Sequence, residues 1–330
     1  MKKRIYLFSN GTLARESNTL VLIKNGSKHF IPVADVNSIL VFGEVDINKR
    51  LLEFLTEQNI PLHFFNYYGY YIGSYLPRRY YNAGIITLKQ AEHYLDKEKR
   101  LDIARAIVKG SIKNMLVVLN YYRNRGIDTS DEIKRIESIL GNIAKCVEVN
   151  ELMGNEGNAR EIYYNAFNKI LKDENFSYSG RSRRPPMTKL NSLISFGNSM
   201  LYVTILNEVM KTHLDPRIGY LHSTNSRKFS LNLDIAEIFK PFLVDRCIFT
   251  LVNKSMLNEH DFMQELNGIY LSESGRRKFL HEFESRLATT IIHKKLRRKI
   301  SYQGIIRMEL YKLEKHILGD EEYKPFVMLW

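Results

Sequence analysis

Three segments of this chain carry residue types suited to phosphate and cation chemistry. The first, ELMGNEGNAREIYY at 151–164, sets Glu156 between Gly154 and Gly157. Glycines beside a carboxylate remove side-chain bulk and let a nucleic-acid backbone or an ion approach closely, which an ordinary solvated helix does not need. The second, RIGYLHSTNSRKFSLNLDIAEIFKP at 217–241, places His222 after an apolar run. It then places Asp234 and Glu237 three apart, on one face of a helix. One imidazole with carboxylates is a donor set for a hard octahedral cation such as Mg²⁺ or Mn²⁺ rather than for a thiolate-preferring structural zinc. The plain alternatives are a solvated glutamate at a helix junction and a histidine satisfied in a core. The third segment, FSYSGRSRRPPMTKLNSLISFGNSML at 176–201, presents Arg181, Arg183 and Arg184 ahead of Pro185 and Pro186. The two prolines hold the chain extended, so guanidinium forks on a stiff loop can meet phosphates.

Residues 3 to about 76 must be read as strands, short and β-branched, with Asn-Gly turns at 10–11 and 25–26. One helix interrupts them after Asn48, where Leu51, Leu52, Phe54 and Leu55 have helical spacing. The expectation is an antiparallel, β-sandwich-like domain over 1–84, followed at 85–330 by an all-α domain that carries the chemistry. Helices are expected from 88 to Gly126, from Ser130 or Asp131, at 156–171, at 189–212, from 233, at 274–291 and at 302–318, with Pro241 kinking or ending the one it sits in.

The chain has 330 residues, enough for two cored domains. Its 49 Lys and Arg against 36 Asp and Glu leave a net charge of +13, which favours a polyanion partner. The charge is clustered at Lys2 to Arg4, Arg78-Arg79, Arg181 to Arg184, Arg276 to Lys278 and Lys294 to Lys299, as a phosphate footprint requires. Arg227 and Lys228 lie between His222 and Asp234 and join Arg181, Arg183 and Arg184 as candidate phosphate contacts. Many of the 20 tyrosines form pairs, at 67–68, 70–71, 80–81, 121–122 and 163–164, where rings either stack on bases or pack a core. Cys146 and Cys247 stand far apart with no CxxC, which argues against a disulfide framework. No apolar run has the length of a signal core or a membrane span, so a cytoplasmic protein is expected.

Taken together, these segments resemble the CRISPR-associated integrase family, the first numbered family of the Cas series, over nearly the whole chain. GEVDINKRLLEFLTEQNIPLHFFNYYGYYIGSY looks like the close of its β domain, MGNEGNAR like its glutamate segment, GYLH like its histidine segment and LDIAEIFKP like its second acidic segment. The RxRRPP run with Asn191 and Ser-Phe-Gly at 195–197 is similar to a further hallmark. The resemblance implies Glu156, His222 and Glu237 as ligands of Mg²⁺ or Mn²⁺, with Asp234 supporting the site or replacing Glu237. Relatives usually carry Asp where this chain has Thr188 and an aromatic where it has Asn198.

The same resemblance implies a homodimer formed through the N-terminal domain, joined by a small ferredoxin-like second Cas protein. It also implies double-stranded DNA, protospacer and repeat, as substrate. The reaction would be metal-dependent transesterification, a DNA 3′-hydroxyl attacking a repeat phosphodiester, with endonuclease activity when water replaces the hydroxyl. The competing readings are a noncatalytic nucleic-acid scaffold, another metal-dependent nuclease acting on branched DNA, and a tyrosine recombinase using a paired tyrosine as nucleophile.

Overall fold

The computed structural model describes residues 2–78, 83–224, 229–265, 268–293 and 296–328. The chain divides into two compact units, Met1–Tyr81 and Asn82–Trp330.

Among the described residues the first unit holds eight strands and one α-helix: β1 (Lys3–Leu7), β2 (Gly11–Glu16), β3 (Thr19–Lys24), β4 (Ser27–Ile31), β5 (Val36–Val41), β6 (Val45–Asp46), α1 (Lys49–Gln58), β7 (Leu62–Phe65) and β8 (Tyr71–Tyr75). They form two four-stranded sheets, ordered β1-β5-β7-β8 and β4-β3-β2-β6. The β-rich class is as expected, but the strictly antiparallel pairing is not: β1 with β5, β5 with β7 and β2 with β6 run parallel. The two Asn-Gly pairs show why. Asn25 (φ 48°) and Gly26 (φ 76°) make the tight turn that pairs β3 with β4. Gly11 instead carries the chain from one sheet to the other, at φ 148°, where a Cβ would lie 2.2 Å from the Ile23 carbonyl oxygen. Helix α1 is capped by the Asn48 side chain, which accepts from Leu51 N–H at 3.0 Å. It buries Leu51, Phe54 and Leu55 in one cluster with Leu7, Leu13, Leu20 and Ile39 from both sheets.

The second unit is mainly helical: α2 (Gly84–Leu95), α3 (Lys97–Arg123), α4 (Ser130–Asn142), α5 (Val149–Asn165), α6 (Phe167–Ile170), α7 (Lys189–Val209), α8 (Ser230–Lys240), α9 (Arg246–Asn253), α10 (Glu273–Ala288) and α11 (Tyr302–Leu318). The stretch expected as one helix from 88 to 126 is two, because Asp96 turns extended and its carboxylate caps α3 at Glu98 and Lys99 N–H. The helix expected at 156–171 begins earlier, at Val149, and the one expected to reach 291 stops at Ala288. The all-α expectation is also corrected by two hairpins, β9 (Phe262–Glu265) with β10 (Gly268–Leu271) and β11 (Thr290–His293) with β12 (Arg298–Ser301). Both cysteines are buried thiols. Among the described residues no helix is long and apolar enough to cross a membrane.

Helix α3 is the spine of this unit, with α4, α5 and α8 packed on it. Pro241 ends α8 as an α-helix, since it has no N–H to give to the Glu237 carbonyl four residues back. The chain continues as a π-helical turn, Pro241–Asp245, into α9. The buried Asn114 of α3 secures this region: its amide donates to the Ile238 carbonyl at 2.9 Å and the Phe326 carbonyl at 3.0 Å, and its oxygen accepts from Met328 N–H at 2.8 Å. Glu309 of α11 accepts from the Tyr323 hydroxyl at 2.8 Å and from Phe326 N–H, so the 323–328 segment is held against α3, α8 and α11.

Candidate active site

Glu156 lies in the middle of α5, not at a helix junction, and its carboxylate meets Arg160 one turn on. Arg160 Nε donates to Glu156 Oε1 at 3.0 Å and Nη2 to the same oxygen at 2.8 Å. Nη2 also donates to Glu237 Oε2 of α8 at 2.7 Å and to Ser111 Oγ of α3 at 3.0 Å. One buried guanidinium nitrogen thus gathers carboxylates from two helices. Lys240 donates to the other oxygen of Glu237, completing an i, i+3 pair on α8. Burial alone would raise the Glu237 carboxyl, but Lys240, Arg160 and His222 outweigh it and hold the group well below the usual range.

His222 is positioned from below by Asp234. The turn Gly219–His222 presses against the start of α8 so closely that a Cβ on Gly219 would sit 2.9 Å from Asp234 Oδ2. Three successive N–H groups of that turn point at the carboxylate. Leu221 donates to Oδ2 at 3.0 Å, His222 to Oδ1 at 2.9 Å, and Tyr220 to Oδ2 as well. The His222 ring adds a fourth bond, Nδ1 to Oδ1 at 2.8 Å. A carboxylate only accepts, so the ring proton resides on Nδ1 and Nε2 faces away from Asp234. Burial would lower the His222 pKa, yet Asp234 and then Glu237 raise it above its ordinary value.

The sequence therefore placed His222, Asp234 and Glu237 near one another, and the fold adds Glu156 through Arg160. Among the described residues no three His, Cys, Asp or Glu side chains converge closely enough to hold a metal ion as they stand. The donor types fit a hard divalent cation, and the point where the two carboxylates meet already holds a cationic nitrogen. Gly154 and Gly157 flank Glu156 on an exposed stretch of α5, with open space where each Cβ would be.

The basic candidates fare differently. Arg181 is turned inward, Nη1 to Asn191 Oδ1 at 2.9 Å and Nη2 to Ser195 Oγ at 3.0 Å, fastening the loop to α7. Arg183 and Arg184 are exposed. Arg227 and Lys228 lie outside the described residues. Thr188 caps α7 by accepting from Asn191 N–H at 3.1 Å, a task an aspartate also performs. Tyr163 and Tyr164 are buried, and burial pushes both phenols above their ordinary range, which suits packing and not a nucleophile. Sequence reasoning missed Arg160, Lys240 and Asp245. The i, i+4 spacing of Glu156 to Arg160 and the i, i+3 spacing of Glu237 to Lys240 were visible signals for the first two.

The family model of CRISPR associated protein Cas1 matches residues 5–285. A CRISPR-associated endonuclease Cas1 of Thermodesulfovibrio yellowstonii is 53% identical over 330 residues, covering 100% of both chains. A solved Cas1 protein from Thermotoga maritima superposes with a TM-score of 0.88 at 47% identity, covering 97% of this chain and 99% of that one. A casposase bound to integration product shares the fold, with a TM-score of 0.87 at 21% identity over 99% of this chain and 93% of that one. With a family match over most of its length and a relative more than half identical from end to end, the chain belongs to the CRISPR associated protein Cas1 family.

Proposed function

We propose that the chain is a metal-dependent DNA integrase of CRISPR adaptation, inserting captured DNA into the repeat array by transesterification and cutting DNA at the same site. The observation that supports this most is the gathering of Glu156 and Glu237 on one buried cationic nitrogen beside an anchored His222. The matched relative is itself named an endonuclease, and the casposase of the same fold was solved with its integration product.

Glu156, His222 and Glu237 would hold Mg²⁺ or Mn²⁺. Asp234, whose two oxygens already accept four hydrogen bonds, orients His222 in preference to joining the ligands. A bound divalent ion supplies Lewis acidity at the scissile phosphate and lowers the pKa of the attacking 3′-hydroxyl. The chain's own residues do the rest. Asp234 keeps the His222 proton on Nδ1 and so leaves the Nε2 lone pair for the ligand position. Gly154 and Gly157 keep the face beside Glu156 bare for a DNA backbone. Arg183 and Arg184, with Arg227 and Lys228, would bind phosphates with little regard to sequence, as an enzyme that captures many fragments requires. The N-terminal unit would form the homodimer, and the small ferredoxin-like second Cas protein would join two dimers on double-stranded DNA.

The test is integration of a labelled fragment into repeat DNA with Mn²⁺, comparing the wild type with Glu156→Ala, His222→Ala and Glu237→Ala. Loss of strand transfer in all three, with folding and DNA binding intact, is expected. Full activity in the folded variants would refute the assignment of these three residues, and DNA binding without any strand transfer by the wild type would leave a noncatalytic DNA-binding scaffold.

A further inference from the structure

Arg160 is buried, and two of its three guanidinium nitrogens meet Glu156, Glu237 and Ser111. The third, Nη1, has no hydrogen-bond partner among the described residues. Asp245, at the end of the π-helical turn, is fully buried, and neither of its oxygens accepts a hydrogen bond among the described residues. The Tyr163 hydroxyl approaches it without reaching hydrogen-bonding geometry. Burial pushes the Asp245 carboxyl up to about 7, against the fields of Arg160 and then Lys240. Arg160 in turn feels Glu156, Glu237 and Asp245. A buried donor and a buried acid, each unpartnered, therefore lie within electrostatic reach of one another beside the acidic pair.

Leaving such groups unpaired is costly, because a buried polar atom loses water without regaining a bond. The arrangement makes sense if the guanidinium has two sets of acceptors and uses one at a time. A divalent ion between Glu156 and Glu237 would repel the guanidinium and take its acceptors, and an arginine expelled from both without a new partner would be a buried unpaired charge. Asp245 is the acid available to receive it, and a bidentate arginine-carboxylate pair is among the strongest contacts such an interior can offer.

We propose that Arg160 is a resident counter-cation of Glu156 and Glu237 that yields their oxygens to a divalent cation by turning onto Asp245. The inference rests on the metal-site reading above. Arg160 is on this view a positioning residue: it keeps the acidic pair compensated until the ion arrives and sets how tightly the ion binds. The π-helical turn has a matching role, since it brings Asp245 of the segment after α8 toward the interior that Glu237 also faces.

The experiment is Mn²⁺ binding to the intact chain without DNA, read from the loss of the free-ion electron paramagnetic resonance signal. The proteins compared are the wild type, Glu156→Ala, Arg160→Gln, Asp245→Asn and the double variant. Removing the competitor in Arg160→Gln should tighten Mn²⁺ by about tenfold, and removing the receiver in Asp245→Asn should weaken it by about tenfold. In the double variant the Asp245→Asn effect should vanish, because nothing remains to be received. Unchanged or weaker binding in Arg160→Gln would show an arginine that merely supports its ligands and would overturn the proposal. So would an Asp245→Asn effect of equal size in both backgrounds. If Arg160→Gln does not fold, Asp245→Asn, which keeps the shape of a carboxyl already pushed toward neutrality, decides alone: unchanged affinity defeats the proposal. Wild-type Mn²⁺ binding that is absent, or indifferent to Glu156→Ala, would instead remove the metal-site reading, and this inference with it.

Discussion

Asp234 holds His222 twice, by the backbone N–H at 2.9 Å and by ring Nδ1 at 2.8 Å. Two groups of one residue are locked to one carboxylate oxygen, so the ring plane is set by the start of α8. Burial opposes a charged imidazole, and the Asp234 bond and charge overcome it. The folded pKa is therefore raised above 6.5, and the stability that the protonated ring contributes is fully present below that pH and lost as pH rises through the folded value. In Asp234→Asn the Asp234 contributions are gone and only Glu237 still opposes burial and Lys240, so an NMR titration of the His222 ring should show its midpoint falling below that of the wild type. The loss of charge-assisted bonds to the turn should also destabilise the fold by about 2 kcal/mol. Equal His222 midpoints in the two proteins would contradict this reading.

Gly157 stands inside α5 with nothing near its missing Cβ among the described residues. Alanine there should stabilise the helix by roughly 0.5–1 kcal/mol, because glycine loses more backbone freedom on folding. If the bare face beside Glu156 exists for a DNA backbone, Gly157→Ala should raise the melting temperature and still lower the rate of strand transfer. A variant more stable and equally active would show that the glycine serves no approach.

How much of this was readable beforehand depends on whether the signal is local. Asn48 capping α1, the Asn25-Gly26 turn and the 302–318 span of α11 follow from neighbouring residues and agree with the structure. The parallel partnership of β1, β5 and β7 does not, because strands distant in sequence meet only once the chain folds. Asp96 is masked as a cap in the sequence because the apolar periodicity runs on past it. The candidate ligands are visible in the sequence as residue types, whereas Glu156 and Arg160 have the i, i+4 spacing of any surface pair, and only burial against Ser111 and Glu237 gives Arg160 a different role. Asp245 had no signal at all, since a π-helical turn shifts every later residue off the face that α-helical spacing predicts.

Glu208 is the buried carboxylate that ties α7 to α11, accepting from Arg307 Nε at 2.7 Å, Gln303 Nε2 at 2.8 Å and Lys211 Nζ at 2.8 Å. Burial raises its carboxyl, but Lys211 and Arg307 outweigh it and lower the folded pKa below 4.5. Its contribution is thus fully present above pH 4.5 and lost as pH falls through the folded value. Glu208→Gln should cost about 3 kcal/mol near neutrality by leaving two cations without their buried partner. Denaturant melts at a series of pH values should show the gap to the wild type shrinking in acid. A gap constant from neutrality into strong acid would mean the pair contributes nothing through its charge.

Asn114 is the last device that sets the site, though it touches none of the candidate ligands. Its three bonds join α3 to the Ile238 carbonyl, one residue past Glu237, and to the 323–328 segment. Ile238 lies just before the π-helical turn, where the ordinary carbonyl-to-amide ladder is displaced, and the Asn114 amide donates to its carbonyl there. Phe326 meanwhile stacks on Phe239 at 6.1 Å, between planes 2° apart. Asn114→Ala would orphan two carbonyls and one N–H in a dry interior, a loss of about 3 kcal/mol. It should also loosen the end of α8 that carries Glu237. The expected result is a lower melting temperature together with faster proteolytic release of the C-terminal segment and a strand-transfer rate reduced beyond what the unfolded fraction explains. If the segment stays protected and activity per folded molecule is unchanged, Asn114 is a packing residue and the position of Glu237 is fixed by α8 alone.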